Sequence, residues 1–232
     1  MTSFPVEEAT IEGIHAAMLA GELQCRTLVE TYLRRIEALD RDGPRLNAIV
    51  SVCGQALGRA EELDEELAAT RQLSGPLHGI PLLVKDCIET VDAPTTFGSI
   101  ATADYMARQD AEVVRRLRTA GSVILAKTTL CDFGAGWFSY SSRSGDTKNP
   151  YPLERDSGGS SAGSAAAVVA NFATAAVGTD CGARSGCRRP SAILWAFVQR
   201  WRGYARTVRR HAGPRAIPGI AIPEGDLGGS RG

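Results

Sequence analysis

Gly79-Ile80-Pro81-Leu82-Leu83-Val84-Lys85-Asp86 is an apolar run that opens on a glycine and closes on two charges. A short continuous apolar run bounded by such residues has the pattern of a strand covered on both faces. Downstream, residues 110–119 show helical spacing, and Ser122-Val-Ile-Leu-Ala126 forms a second run of the same kind. Strand, helix, strand implies parallel pairing in an α/β domain. Position 85 then places a lysine at the end of a buried strand, which requires an explanation.

The flanking segments extend this pattern. Thr10 is placed to cap a helix running to about Ala20, with Ile11, Ile14, Met18 and Leu19 along one stripe. Thr27 is placed to cap a second helix through Val29, Leu33, Ile36 and Leu39. Residues 46–52 read as a strand and residues 55–69 as a helix, whose acidic run Glu61, Glu62, Asp64, Glu65 and Glu66 is a solvated face. Residues 138–161 are dense in Ser, Gly, Asp, Asn and Pro and read as loop. Residues 162–170 then read as a helix and 172–177 as a strand.

The composition is that of a folded soluble protein: 232 residues, 44% hydrophobic, 22% charged, with 26 basic and 26 acidic side chains. The zero net charge conceals a division. Residues 1–182 carry 24 acids and 16 bases, whereas residues 183–232 carry 2 acids and 10 bases, all arginine. The opening Met1-Thr-Ser-Phe-Pro-Val-Glu-Glu8 has neither the basic nor the apolar region of a secretory leader, so the expected compartment is the cytoplasm. The apolar stretch 165–178 is too short for a bilayer, which needs about 20 residues, so no membrane partner is expected. Six cysteines lie scattered without Cys-x-x-Cys spacing and read as reduced thiols, with neither a metal nor a disulfide framework expected.

Two segments carry candidate chemistry. Lys85 is one of three lysines, and burial disfavours its ammonium form, which would leave an amine able to take a proton from a hydroxyl. The alternative is a side chain that snorkels to solvent or pairs with Asp86. Asp156-Ser-Gly-Gly-Ser160-Ser-Ala-Gly-Ser164 brings small residues onto a helix start, a turn able to hold an oxyanion. It also reads as an ordinary Ser/Gly loop ending in a helix cap. No Gly-Lys-Ser/Thr follows, which disfavours a phosphate loop. His15, His78 and His211 have no partners at triad or ligand spacing.

Taken together, Gly79-Ile-Pro-Leu-Leu-Val-Lys85-Asp, Gly158-Gly-Ser160-Ser-Ala-Gly-Ser-Ala-Ala-Ala and Gly178-Thr-Asp180-Cys-Gly182 resemble the amidase signature family in order and spacing. The resemblance extends over most of residues 5–182, including Thr95-Thr-Phe-Gly98-Ser and Thr147-Lys-Asn-Pro150. It implies an amidase-signature fold, here an incomplete mixed sheet surrounded by helices. It also implies hydrolysis of a carboxylic amide C–N bond by a Ser-Ser-Lys triad, with no cofactor. In that triad a serine attacks the carbonyl, a second serine in a cis peptide relays its proton, and a neutral lysine is the base. Residue by residue, Lys85 would be the base and Ser160 the relay. Ser161 and Ser164 would be loop and helix-start hydrogen-bonders, and backbone around Asp180, Cys181, Gly182 and Ala183 would form the oxyanion hole. The implied partners are a small-molecule amide together with a second copy of the chain or the partner subunits of a tRNA-dependent amidotransferase.

The resemblance breaks at Gly182-Ala-Arg184-Ser185-Gly. The family's nucleophile lies about two dozen residues past the relay serine in a Gly-Gly-Ser turn, and Arg184 occupies that place here. Ser185 is the nearest hydroxyl, one residue out of register, and a displacement of about 1 Å already costs about a hundredfold in rate. From Ala183 onward Gly, Ala, Arg and Pro make up 29 of 50 residues, against 63 of the preceding 182. We therefore divide the chain into residues 1–182, the amino-terminal part of an amidase-signature domain, and an Arg-rich tail, 183–232. A basic nucleic-acid-binding arm, an alternative fold and a reading-frame slip each account for the tail. The slip is preferred because these residues share GC-rich codons, so nucleic acid is not the expected partner. A sheet ending at residue 182 would leave an uncovered edge, with poor solubility or a need for a partner as the consequence.

Overall fold

The computed structural model describes residues 4–180 and 193–198. Its elements follow the order α1 (Ile11–Leu19), α2 (Cys25–Ile36), β1 (Ile49–Val52), α3 (Ala56–Thr70), β2 (Pro81–Lys85), α4 (Glu112–Thr119), β3 (Val123–Thr128), α5 (Ala162–Val169), β4 (Ala175–Asp180) and β5 (Ile193–Val198). The five strands form one sheet in the order β1-β3-β2-β4-β5. β2 runs parallel to β3 and β4 on either side, while β1 and β5 are antiparallel additions at the two ends. The expected α/β class and mixed sheet are both present.

Every residue of β2 and β3 is buried, as their unbroken apolar runs require. Pro81 is tolerated in this central strand because it takes the first position, where its missing N–H interrupts little; Val123 N donates instead to Ile80 O at 3.0 Å. Between Leu82 and Leu83 the β2–β3 register slips by one residue, passing over Leu125. Beyond the slip Val84 pairs with Lys127 and Lys85 with Thr128. Successive side chains alternate between faces, so Lys85 and Lys127 stand on opposite sides of the sheet.

Helix starts follow local chemistry in one case and tertiary chemistry in another. Thr10 caps α1 as expected, its side chain accepting from Gly13 N. Helix α2 begins at Cys25 rather than at Thr27, because the Asp64 carboxylate accepts from Cys25 N at 2.7 Å and Arg26 N at 2.9 Å. Asp64 thus ties α3 to the positive end of α2, Glu61 adds an ion pair to Arg26 and Glu62 one to Arg59, and Glu65 and Glu66 are exposed. Leu19, expected in the apolar stripe, is 56% exposed, whereas Ile14 and Met18 are buried.

Residues 138–161 contain no helix or strand beyond the isolated bridges Ser141–Gly145 and Lys148–Asp156. They deliver the chain to α5, which packs on β2, β3 and β4. Contact there is close: a Cβ at Gly163 would collide with Thr129 N and Ala48 O. The tail corrects one expectation. Its apolar run Ile193-Leu-Trp-Ala-Phe-Val198 forms β5 and pairs along the whole of β4, so the edge expected at β4 is moved one strand outward to β5. This six-residue β-forming segment is hidden by the arginine-rich average around it. Residues 181–192 and 199–232, with all ten arginines of the tail, lie outside the described residues.

Candidate active site

Strand β2 carries Lys85 to its carboxyl end with the side chain fully buried. Nζ donates to Ser160 Oγ at 2.7 Å and to Thr179 Oγ1 at 2.8 Å. The side chain therefore turns inward to two hydroxyls instead of snorkelling to solvent. Asp86 points the other way, accepting from Thr96 N (3.1 Å to each oxygen), Thr96 Oγ1 (2.5 Å) and Gly98 N (3.1 Å), with Lys127 Nζ 3.9 Å away.

Ser160 reaches Lys85 from the loop before α5. The Gly159–Ser160 peptide is cis. Gly159 has no room for a side chain, since a Cβ there would collide with Phe138 O. The residues that follow fasten the loop to the sheet. Ser161 Oγ accepts from Thr179 N and donates to Thr179 O, each at 3.2 Å. Ser164 Oγ lies 2.7 Å from Thr128 Oγ1 and donates to Val177 O at 3.2 Å. Three serines within five residues therefore differ in partner: Ser160 meets an amine, whereas Ser161 and Ser164 fix the helix start to β4 and β3.

Thr179 is a site residue that sequence reasoning does not single out, although it lies within the quoted Gly178-Thr-Asp180. Its backbone receives Ser161 while its hydroxyl receives Lys85, so one residue of β4 locates both sides of the site. Spacing alone gives no such signal, because it depends on β4 lying beside β2. Asp180 closes β4, while Cys181, Gly182, Ala183, Arg184 and Ser185 lie outside the described residues, and with them the expected oxyanion turn and nucleophile.

The amidase family model matches residues 27–193, well over half of the chain. The chain belongs to the amidase family. It is 42% identical over 189 residues to a subunit of the glutamyl-tRNA(Gln) amidotransferase of Halorhodospira halophila, covering 81% of this chain and 38% of that protein. Among solved structures it resembles the native peptide amidase of Stenotrophomonas maltophilia (46% identity, TM-score 0.73, 77% of this chain and 37% of that one). It also resembles an amidase family protein of Bacillus anthracis (35% identity, TM-score 0.70, 75% and 36%). The chain thus spans less than two fifths of the length of these relatives.

Among the described residues, the histidines and thiols have the following surroundings. His78 is fully buried, its ring nitrogen Nδ1 engaged with Ser74, and burial lowers its pKa; His15 Nε2 lies against His78 O. His15, half-buried on α1, thus joins that helix to the backbone at His78. His211 lies outside the described residues. The thiols of Cys25, Cys53, Cys87 and Cys131 are free; burial raises those of Cys25 and Cys87 and pushes that of Cys53 up to about 12, the opposite of a reactive thiolate. Among the described residues there is no cluster of three metal-ligating side chains, and no helix is long and apolar enough to cross a membrane.

Proposed function

We propose that the described residues form the base-and-relay portion of an amidase centre that cleaves a carboxylic amide C–N bond. The 2.7 Å contact between Lys85 Nζ and Ser160 Oγ, which joins a fully buried lysine to a half-buried serine, supports this reading most directly. In the working state Lys85 is a neutral amine that keeps its bond to Thr179 Oγ1, while the Ser160 hydroxyl turns to donate to its lone pair, reversing the direction of the same 2.7 Å contact. Ser160 passes a proton from the attacking hydroxyl to Lys85 as the new C–O bond forms. The proton then returns to the departing nitrogen as the C–N bond breaks, and water attacks the acyl-enzyme by the same relay.

In this chain Arg184 stands at the family's nucleophile position and Ser185 is the hydroxyl on offer. Acylation is therefore slow, at least about a hundredfold below that of a seated nucleophile. Treatment with a fluorophosphonate followed by peptide mass spectrometry tests the assignment. The expected result is slow labelling of Ser185 that Lys85→Ala and Ser160→Ala both abolish. Labelling that survives either substitution overturns the relay, and complete absence of labelling assigns the chain a non-catalytic role.

The amidotransferase relatives favour a second reading, in which this chain works with partner subunits and the amide it opens serves as a source of ammonia. Co-purified subunits and labelling that rises in their presence would distinguish this from a free amidase.

A further inference from the structure

We propose that Asp156 is a positioning residue that holds Ser160 against Lys85 by clamping two loops on either side of Gly159. This rests on the reading of Lys85 and Ser160 as base and relay. One carboxylate oxygen of Asp156 accepts from Ser139 N and from Ser139 Oγ, both at 2.9 Å, while the other accepts from Gly158 N. Ser139 is 1% exposed, so its N–H and O–H find their acceptor in this carboxylate. The two oxygens thus join segments that are 17 residues apart in sequence, immediately before Gly159 on one side and immediately after Phe138 on the other.

The surroundings turn that clamp into a constraint on Ser160. Phe138 O lies against Gly159 closely enough to exclude a Cβ, so the Ser139 anchor fixes the wall on which the Gly159–Ser160 peptide rests. Ser157 Oγ donates to Thr147 O at 2.9 Å and ties down the same turn from behind. Beyond Ser160, Ser161 is held to Thr179. Ser160 is therefore suspended between a carboxylate clamp two residues upstream of Gly158 and a strand clamp one residue downstream. Hydrogen bonds from backbone N–H to a carboxylate are charge-assisted and short, which suits them to fixing a turn rich in glycine.

The three lysines of the chain permit a test that does not depend on turnover. Nitrogen-15 labelling of the lysine side chains gives one NMR signal each for Lys85, Lys127 and Lys148. Ser160→Ala defines the displacement of the Lys85 signal when the relay contact is lost. Asp156→Ala is expected to move the Lys85 signal in the same direction while leaving Lys127, on the opposite face, in place. Should Asp156→Ala fail to fold, seen as collapse of the Lys127 signal, Ser139→Ala carries the test. It removes one hydroxyl from the clamp and is expected to move Lys85 the same way by a smaller amount. An unmoved Lys85 signal in a folded Asp156→Ala or Ser139→Ala protein overturns the clamp. An unmoved Lys85 signal in Ser160→Ala overturns the relay contact itself, and the clamp with it.

Discussion

Two fully buried lysines stand on neighbouring central strands, and their surroundings differ in the one respect that decides what each can do. Lys127, on β3, faces the Asp86 carboxylate at 3.9 Å and donates to Thr95 Oγ1 at 2.9 Å and Pro94 O at 3.3 Å. Lys85, on the other face of β2, donates to the hydroxyls of Ser160 and Thr179. A carboxylate favours a lysine that keeps its proton and acts as a fixed cation, whereas hydroxyls suit an amine that exchanges one. The Lys127 side of the sheet is built for holding. Asp86 gathers Thr96 and Gly98, and Phe97 O in turn accepts from Phe133 N at 2.7 Å, so the pair organises the loops around the site without entering it.

The largest expected effect comes from breaking the holding side. Lys127→Met leaves the fully buried Asp86 without its cation, a change that typically costs about 3 to 5 kcal/mol of stability. Lys85→Met leaves two hydroxyls short of a partner, worth about 1 to 3 kcal/mol, while removing the proposed base entirely. Urea unfolding of the two variants should thus rank Lys127→Met as much the less stable, whereas labelling should be lost in Lys85→Met. Equal destabilisation by the two would remove the distinction between a structural and a functional lysine.

The pH dependence sharpens the same contrast. Burial lowers the pKa of Lys127 below its ordinary 10.5, with Asp86 opposing that shift. Between the lowered folded value and 10.5 the unfolded chain binds the additional proton, so the contribution of Lys127 to stability rises with pH across that window and is weakest below it. Unfolding free energies measured from about pH 8 to about pH 10.5 should climb more steeply in the native chain than in Lys127→Met. Parallel curves would show that the buried ammonium carries no such penalty.

Much of this arrangement can be read from residues in order. The runs at 79–85 and 122–126 announce the parallel pair, and three glycine-bearing motifs, one of them rich in serine, announce the family and the positions of Lys85 and Ser160. What escapes such a reading depends on partners distant in sequence. Asp64 caps α2 across 39 residues, which displaces the helix start from Thr27 and gives a function to a residue that looks merely solvated. The strand Ile193–Val198 is submerged in a basic average, although its own six residues are uniformly apolar. Composition is a property of a window, and a strand is shorter than the window that hides this one.

Thr179 escapes for the same reason and gives the smallest, most discriminating test. Its residue type says only that a β-branched side chain suits a strand. Its importance arises from β4 lying beside β2, which places its hydroxyl 2.8 Å from Lys85 Nζ. Thr179→Val keeps the shape and the backbone bonds to Ser161 but removes that hydroxyl. A single such hydrogen bond is worth about 0.5 to 1.5 kcal/mol, so labelling should slow by about threefold to tenfold while the unfolding midpoint barely moves. Thr179→Ser should recover most of the rate, because the hydroxyl returns without the methyl group. If Val and Ser behave alike, the hydroxyl is not orienting the amine, and the difference between the two lysines rests on Ser160 alone.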